Sequence, residues 1–240
     1  MGTQVFNLLT GKSLEFEGIS YCLNEQCNMP IILIDLEQYR SQLTTMLWSN
    51  LLSLTEINDL THTTDGVVQI SIERLTGRLA AKLALAVLTG KSIKQSEILI
   101  TKSIENFGQP YSACGRYISI SHSGRYVIAA ASDFAIGVDI QKKRTFSNTA
   151  LNMAFNAKEV SNKSIGSQTL IWTIKESFLK ALGLGIFPYI KYVELKKDAQ
   201  NYLIETSSTY INNAIALLGD NTQIMTGTLS QYCYSITKIE

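Results

Sequence analysis

Prolines are scarce in this 240-residue sequence: only Pro30, Pro110 and Pro188 occur. There is no low-complexity stretch and no short-period repeat, so nothing in the composition marks a linker. The four cysteines, Cys22, Cys27, Cys114 and Cys233, lack metal-ligand spacing, which excludes a cysteine-held metal cluster. Reduced, partly buried thiols are expected instead. Long apolar runs are missing too. The most apolar helical stretch, Leu83 to Leu88, is far too short to cross a bilayer. A net charge of +1 lacks the basic excess of a protein that tracks a nucleic-acid backbone, so no nucleic-acid partner is expected. No N-terminal segment joins basic residues to an apolar stretch and a small-residue cleavage site, and Phe6 stands where N-myristoylation needs Ser or Thr. These absences lead us to expect a cytoplasmic protein with no membrane attachment.

What is there suits a globular protein. Apolar residues make up 45% and charged residues 17%, and the length allows one large domain or two small ones. Ser53-Leu-Thr-Glu56 fits a capping box. Ile72, Leu75, Leu79, Leu83, Ala86 and Val87 recur at helical spacing and predict a helix over 72–89, stopped by Gly90. Residues 97–101 read as a short strand. Residues 117–121 and 126–131 read as strands joined by His122-Ser123-Gly124-Arg125, and 135–140 as a third, in the simplest case a meander. A second strong helix is predicted over 169–182, ending at Gly183. Residues 189–196 and 202–206 suggest a hairpin, and 231–239 a last strand. The fold class expected is α+β, with a boundary near 132–136.

Few residues suit chemistry, and each has a plain structural alternative. Trp172, Glu176 and Leu179 share one helix face, where a carboxylate is costly unless a cation meets it. That cation is either Lys180, one turn on, in an ordinary helical pair, or a metal. Asp139 interrupts the apolar run Ile136-Gly-Val-Asp-Ile140 and projects from the same strand face as Gln141. Asp139 either caps a turn or, with a helix carboxylate, holds Mg²⁺ through oxygen ligands. His122, flanked by Ser121 and Ser123, is a solvated turn residue, a general base or a phosphate contact. A meander would place it at one sheet edge with Asp139. Arg74, Arg78 and Lys82 form a basic stripe along the first long helix, which is a solvated face or an anion site.

Together these segments resemble the 4′-phosphopantetheinyl transferases, specifically the two-lobed type that activates surfactin and enterobactin synthetases. The matching residues are Ile118-Ser-Ile-Ser-His-Ser-Gly-Arg-Tyr-Val127, Ile136-Gly-Val-Asp-Ile140 and Trp172-Thr-Ile-Lys-Glu-Ser-Phe-Leu-Lys180. The resemblance covers about residues 72–190. It implies a pseudo-dimer of two similar α+β lobes, 1–133 and 134–240, with coenzyme A between them. It implies transfer of the phosphopantetheine arm of coenzyme A to a serine of an apo acyl or peptidyl carrier protein, by a monomer. Carried over, Asp139, Glu176 and the residue at 141 would hold Mg²⁺ on the pyrophosphate. Lys175 and Lys180 would neutralise phosphate, Lys180 also assisting the leaving group. Ser121, His122 and Arg74 would contact the nucleotide, and Glu159 would help activate the attacking serine or a bridging water. The residue types suit the reaction, since a serine approaching phosphorus needs the pyrophosphate charge offset and its own proton accepted.

Two departures stand out. Gln141 replaces an acidic ligand, and Gln109 replaces the lysine of a Gly-Lys-Pro element, so that Arg116, Arg78 or Lys82 would have to compensate. They keep open a second possibility, a non-catalytic paralogue that binds carrier protein or coenzyme A.

Overall fold

Ser53 and Glu56 form the reciprocal cap that their spacing predicts. The Glu56 backbone N–H donates to Ser53 Oγ (3.2 Å), and the Ser53 N–H donates to Glu56 Oε2 (2.9 Å). They open helix α1 (Leu54–Leu60). Ser71 Oγ accepts the Arg74 N–H and opens α2 (Ile72–Thr89), which stops at Gly90 with a left-handed φ of 68°. The computed structural model describes residues 3–5, 12–16, 19–24, 29–38, 51–64, 67–95, 98–100, 109–160, 164–198, 201–219 and 221–240. The chain divides into two units. One spans residues 8–102 and 107–133. The other spans residues 134–240 and includes the parallel strand β1 (Thr3–Val5).

In the first unit, β2 (Lys12–Phe16), β3 (Ile19–Asn24) and β4 (Ile31–Asp35) run antiparallel. Two hairpin strands complete their sheet. Smaller ladders join β5 (Thr61–Thr64) to β6 (Val67–Ile70), and β7 (Ile98–Ile100) to β8 (Pro110–Ser112). The completing hairpin is β9 (Tyr117–Ser123) and β10 (Tyr126–Ser132), giving the order β2-β3-β4-β10-β9. Helix α2 lies on this sheet, with Leu79, Leu83 and Ala84 packed among Ile32, Ile34, Val127 and Ala129. Such apolar burial, at about 25 cal/mol per Å², is the main force holding helix to sheet.

The second unit opens with β11 (Ala135–Lys142). Two short helices, α3 (Asn148–Ala154) and α4 (Ala157–Val160), lead to the long helix α5 (Ile165–Ala181). Then come α6 (Ile186–Tyr189), the hairpin β12 (Val193–Asp198) and β13 (Asn201–Thr206), helix α7 (Thr209–Leu218), and the strands β14 (Thr222–Leu229) and β15 (Tyr232–Ile239). The main sheet runs β1-β14-β15-β11, and α5 packs on β11 and β15. No helix among the described residues is long and apolar enough to cross a membrane.

The mixed helix-and-sheet class matches the expectation, and both long helices are present, the second starting at Ile165, one turn before the expected 169. Four details of the sequence reading are corrected. There is no three-stranded meander, because β10 takes β4 as its second neighbour and β11 pairs with β15 in the other unit. His122 does not sit in a connecting loop. It lies in β9 opposite Val127, and only Gly124 and Arg125 form the turn. Gly124 takes a φ of 53°, which suits the first position of a two-residue hairpin turn. Residues 189–192 are helical, not extended, so the hairpin strand starts at Val193. The basic stripe is no surface feature beyond Arg74: Arg78 and Lys82 are buried. Among the cysteines, Cys114 is exposed and Cys233 buried, both as free thiols. Phe107 and Gly108, part of the Gly-Lys-Pro-like element, lie outside the described residues.

Candidate functional site

Gly137 sets the approach of helix to strand. A Cβ there would come within 1.8 Å of the Ser177 carbonyl oxygen, so only glycine lets α5 lie this close to β11. Ser177 Oγ adds a second tie, bonding Ser235 Oγ (2.9 Å) and Thr237 Oγ1 (2.8 Å) on β15. Two residues past Gly137 on the same strand face comes Asp139, 1% exposed. Lys180, in the last turn of α5, donates to Asp139 Oδ1 (2.7 Å) and to the Val138 carbonyl (3.1 Å). Glu176, one turn earlier, lies 3.9 Å from the same ammonium. A strand aspartate, a helix glutamate and a helix lysine thus converge, as the spacing of the motifs requires.

The two carboxylates are a poor pair for each other. Burial first, and then the neighbouring Asp139 charge, push the Glu176 carboxyl well above the ordinary carboxylate range. Lys180 pulls the other way. For Lys180 itself, burial lowers the pKa, but Asp139 and Glu176 outweigh it and the ammonium ends above its usual value. Two partly shielded carboxylates with one lysine between them form a hard-oxygen donor set that a dication would relieve of its repulsion. Gln141, half-buried and two residues beyond Asp139, brings an amide oxygen to the same strand face. Among the described residues no group of three or more His, Cys, Asp and Glu side chains could hold a metal ion; the carboxylates that meet Lys180 here are Asp139 and Glu176.

Lys175 and Glu159 form a second, fully covered pair. Lys175 Nζ donates to Glu159 Oε2 (2.7 Å) and to the Ala154 carbonyl (2.7 Å), with side-chain exposures of 1% and 2%. Glu159 closes a capping box with Asn156, its Oε2 accepting the Asn156 N–H (2.9 Å) and Asn156 Oδ1 accepting the Glu159 N–H (2.9 Å). Its Oε1 accepts the Leu195 N–H (2.8 Å), which ties α4 to β12. Burial pulls the Lys175 ammonium below its ordinary pKa, while Glu159 pulls it back. In this conformation Lys175 faces Glu159 and a carbonyl, not solvent, so it is not an exposed phosphate contact.

The remaining expected residues belong to the first unit. Arg74 is exposed in the first turn of α2. Neighbours on β9, Ser121 is buried and His122 exposed, as alternation on a strand requires, so they do not share a face. Arg78 and Lys82 cannot replace the missing lysine at Gln109. Burial lowers the Arg78 pKa, and Lys82 is held by Glu56 at 2.8 Å with side-chain exposures of 1% and 0%. Arg116 is half-exposed and paired with Asp133 at 2.5 Å.

Three site-shaping residues escaped the sequence reading. Gly137 was visible only as part of a motif, since a close approach leaves no local signal. Asn156 showed nothing because a capping box headed by Asn, not Ser or Thr, opens only one turn of helix. Arg144 lies over the rings of Phe146 (5.1 Å) and Trp172 (5.7 Å), covering the aromatic cluster beside Glu176.

Comparison with known proteins points to one family. Residues 135–227 match the family model for the 4′-phosphopantetheinyl transferase superfamily. Over 120 residues the chain is 29% identical to 4′-phosphopantetheinyl transferase gsp of Aneurinibacillus migulanus, covering 47% of this chain and 50% of that protein. Over 93 residues it is 37% identical to 4′-phosphopantetheinyl transferase Sfp of Bacillus subtilis strain 168, covering 35% of this chain and 42% of that protein. A further 4′-phosphopantetheinyl transferase of Bacillus subtilis is 32% identical over 110 residues, covering 41% of this chain and 49% of that protein. The matched stretches span about half the length of these curated relatives or less.

Proposed function

We propose that this chain, whose residues 135–227 match the family model for the 4′-phosphopantetheinyl transferase superfamily, transfers the phosphopantetheine arm of coenzyme A to a serine of an apo carrier protein. The serine oxygen bonds to the β-phosphorus, the pyrophosphate P–O bond breaks, and 3′,5′-ADP leaves. The observation that carries this reading is the convergence of Asp139, Glu176 and Lys180 on β11 and α5, within the matched residues. Asp139 and Glu176, with the Gln141 amide oxygen or a water, would hold Mg²⁺, which supplies charge neutralisation on the pyrophosphate. Lys180, already drawn to this spot, offsets the charge that develops on the departing ADP. Glu159 and Lys175, ion-paired and buried, anchor α4 beside α5, and activation of the attacking serine by Glu159 would require this pair to open to the carrier.

We read the two units as a pseudo-dimer. In the first, β4, α2 and the β9–β10 hairpin follow in order, and β4 pairs with β10. In the second, β11, α5 and the β14–β15 hairpin follow in order, and β11 pairs with β15. Repeated connectivity supports an internal duplication. On this reading the unit of residues 8–102 and 107–133 supplies the nucleotide contacts through exposed Arg74 and His122, with Ser121 buried on the opposite face of β9. The protein works as a cytoplasmic monomer, where coenzyme A and apo carriers are both present.

Intact-mass measurement of several apo carriers incubated with the protein, coenzyme A and Mg²⁺ tests the reading. The expected result is a gain of one phosphopantetheine arm on a carrier, with release of 3′,5′-ADP. Binding of coenzyme A without a mass gain on any carrier favours the non-catalytic paralogue.

A further inference from the structure

The tip of the β9–β10 hairpin is held by a fork of charge that the reaction scheme does not use. Arg125 Nε donates to both carboxylate oxygens of Asp35 (2.8 Å each), and a terminal guanidinium nitrogen reaches Asp35 Oδ2 as well. The other terminal nitrogen lies 3.0 Å from Glu37 Oε2. The main chain repeats the tie, with the Leu36 N–H donating to the Arg125 carbonyl (2.7 Å). Asp35 Oδ1 also accepts the Glu37 N–H (3.1 Å), which fixes the carboxylate for the fork. Asp35 ends β4 opposite Tyr126, the first residue of β10. The fork therefore fastens the start of β10 and the turn before it to the end of β4.

This matters for His122 because β9 is the edge strand of its sheet. In that sheet it is paired only through β10, and its exposed histidine stands three residues before Arg125, across a turn opened by glycine. Without the fork the tip keeps only its main-chain ties, the Leu36–Arg125 bond and the strand ladders, and the side-chain bracing of the glycine turn is lost. Bidentate arginine–carboxylate pairs fix orientation as well as distance.

We propose that Arg125 is a positioning residue for coenzyme A binding. Through Asp35 it holds the β9 end at which His122 meets the nucleotide phosphate, and it does not itself contact that phosphate. The inference rests on the nucleotide-binding reading of the first unit given above.

Single and double variants of the fork separate this role from a direct contact. Coenzyme A affinity, by calorimetry, and the kcat and KM of transfer are to be measured for wild type, R125A, R125K, D35N and the D35N/R125A double variant. If Arg125 positions the tip, D35N weakens coenzyme A binding as much as R125A does, on the order of tenfold, about 1.4 kcal/mol. The expected loss appears in Kd and KM with kcat little changed, R125K fails to restore it, and the double variant is no worse than either single one. If Arg125 touches phosphate directly, D35N frees its charge and binding is unchanged or tighter, while R125K retains much of it; that result overturns the proposal. Wild type that binds no coenzyme A overturns the nucleotide-binding reading itself, whereas tight wild-type binding with a neutral D35N overturns the clamp alone.

Discussion

Glu56 and Glu159 occupy matching places in the two units. Each closes a capping box at the head of a short helix, and each passes its Oε2 to a buried lysine of the following long helix, Lys82 at 2.8 Å and Lys175 at 2.7 Å. The lysines stand at equal distances from the serines that cap their helices, Ser71 and Ser164. Beyond them the units diverge. Where α5 continues with Glu176 and Lys180, α2 places Leu83, in the core, and Val87. The carboxylate–lysine strut is thus common scaffold, while the second carboxylate and second lysine are particular to the unit that carries Asp139. A buried ion pair alone does not mark an active site; like charges brought together around it do.

The struts give the largest expected effects. Lys82→Met takes the ammonium away from the buried Glu56 carboxylate and should cost about 3–5 kcal/mol of stability, read by urea denaturation. Lys175→Met should cost about as much through Glu159. Replacing both partners, as in Glu56→Gln with Lys82→Met, should recover most of the loss. A Lys82→Met protein as stable as wild type would break the comparison.

The divergent positions come next. Leu83→Ala should destabilise by about 2–5 kcal/mol while folded protein keeps its turnover. Glu176→Gln should do the reverse. It relieves repulsion with Asp139 and leaves stability equal or higher, yet lowers transfer by about a hundredfold or more, the scale of losing transition-state charge stabilisation. Thermal melts and initial rates on both variants check the contrast.

The smallest effect is a slope. Glu176 has a raised pKa when folded, so between the ordinary carboxylate range and that raised value the folded chain keeps a proton that the unfolded chain has lost. Stability without metal should therefore fall as pH rises through that window. Denaturation midpoints across the pH series should show the slope in wild type, and Glu176→Gln or added Mg²⁺ should flatten it.

Both long helices were legible because a 3.6-residue apolar period runs through each and Gly90 and Gly183 mark their ends, whereas the serine caps at Ser71 and Ser164 were not read, so the start of α5 was placed at 169 instead of Ile165. The site motifs were legible because a buried carboxylate contradicts its surroundings at Asp139 and Glu176. The meander was misread because sequence shows that β10 and β11 are strands but not which sheet each joins, a choice made by β4 and β15. The basic stripe was misread for a related reason. Period alone cannot tell a solvated lysine from one that meets a carboxylate, such as Glu56, far away in sequence. Strand β4 and helix α7 escaped because Ile31–Asp35 is short and Thr209–Leu218 carries only a serine cap as a start signal.

The most direct test of the account is the rate of phosphopantetheine transfer as Mg²⁺ is raised at fixed coenzyme A and apo carrier, for wild type and Glu176→Gln. The account predicts a wild-type rate that rises with Mg²⁺ to a plateau and a variant that stays far below it at every concentration. A variant that reaches the wild-type plateau, or a wild-type rate indifferent to Mg²⁺, would contradict it.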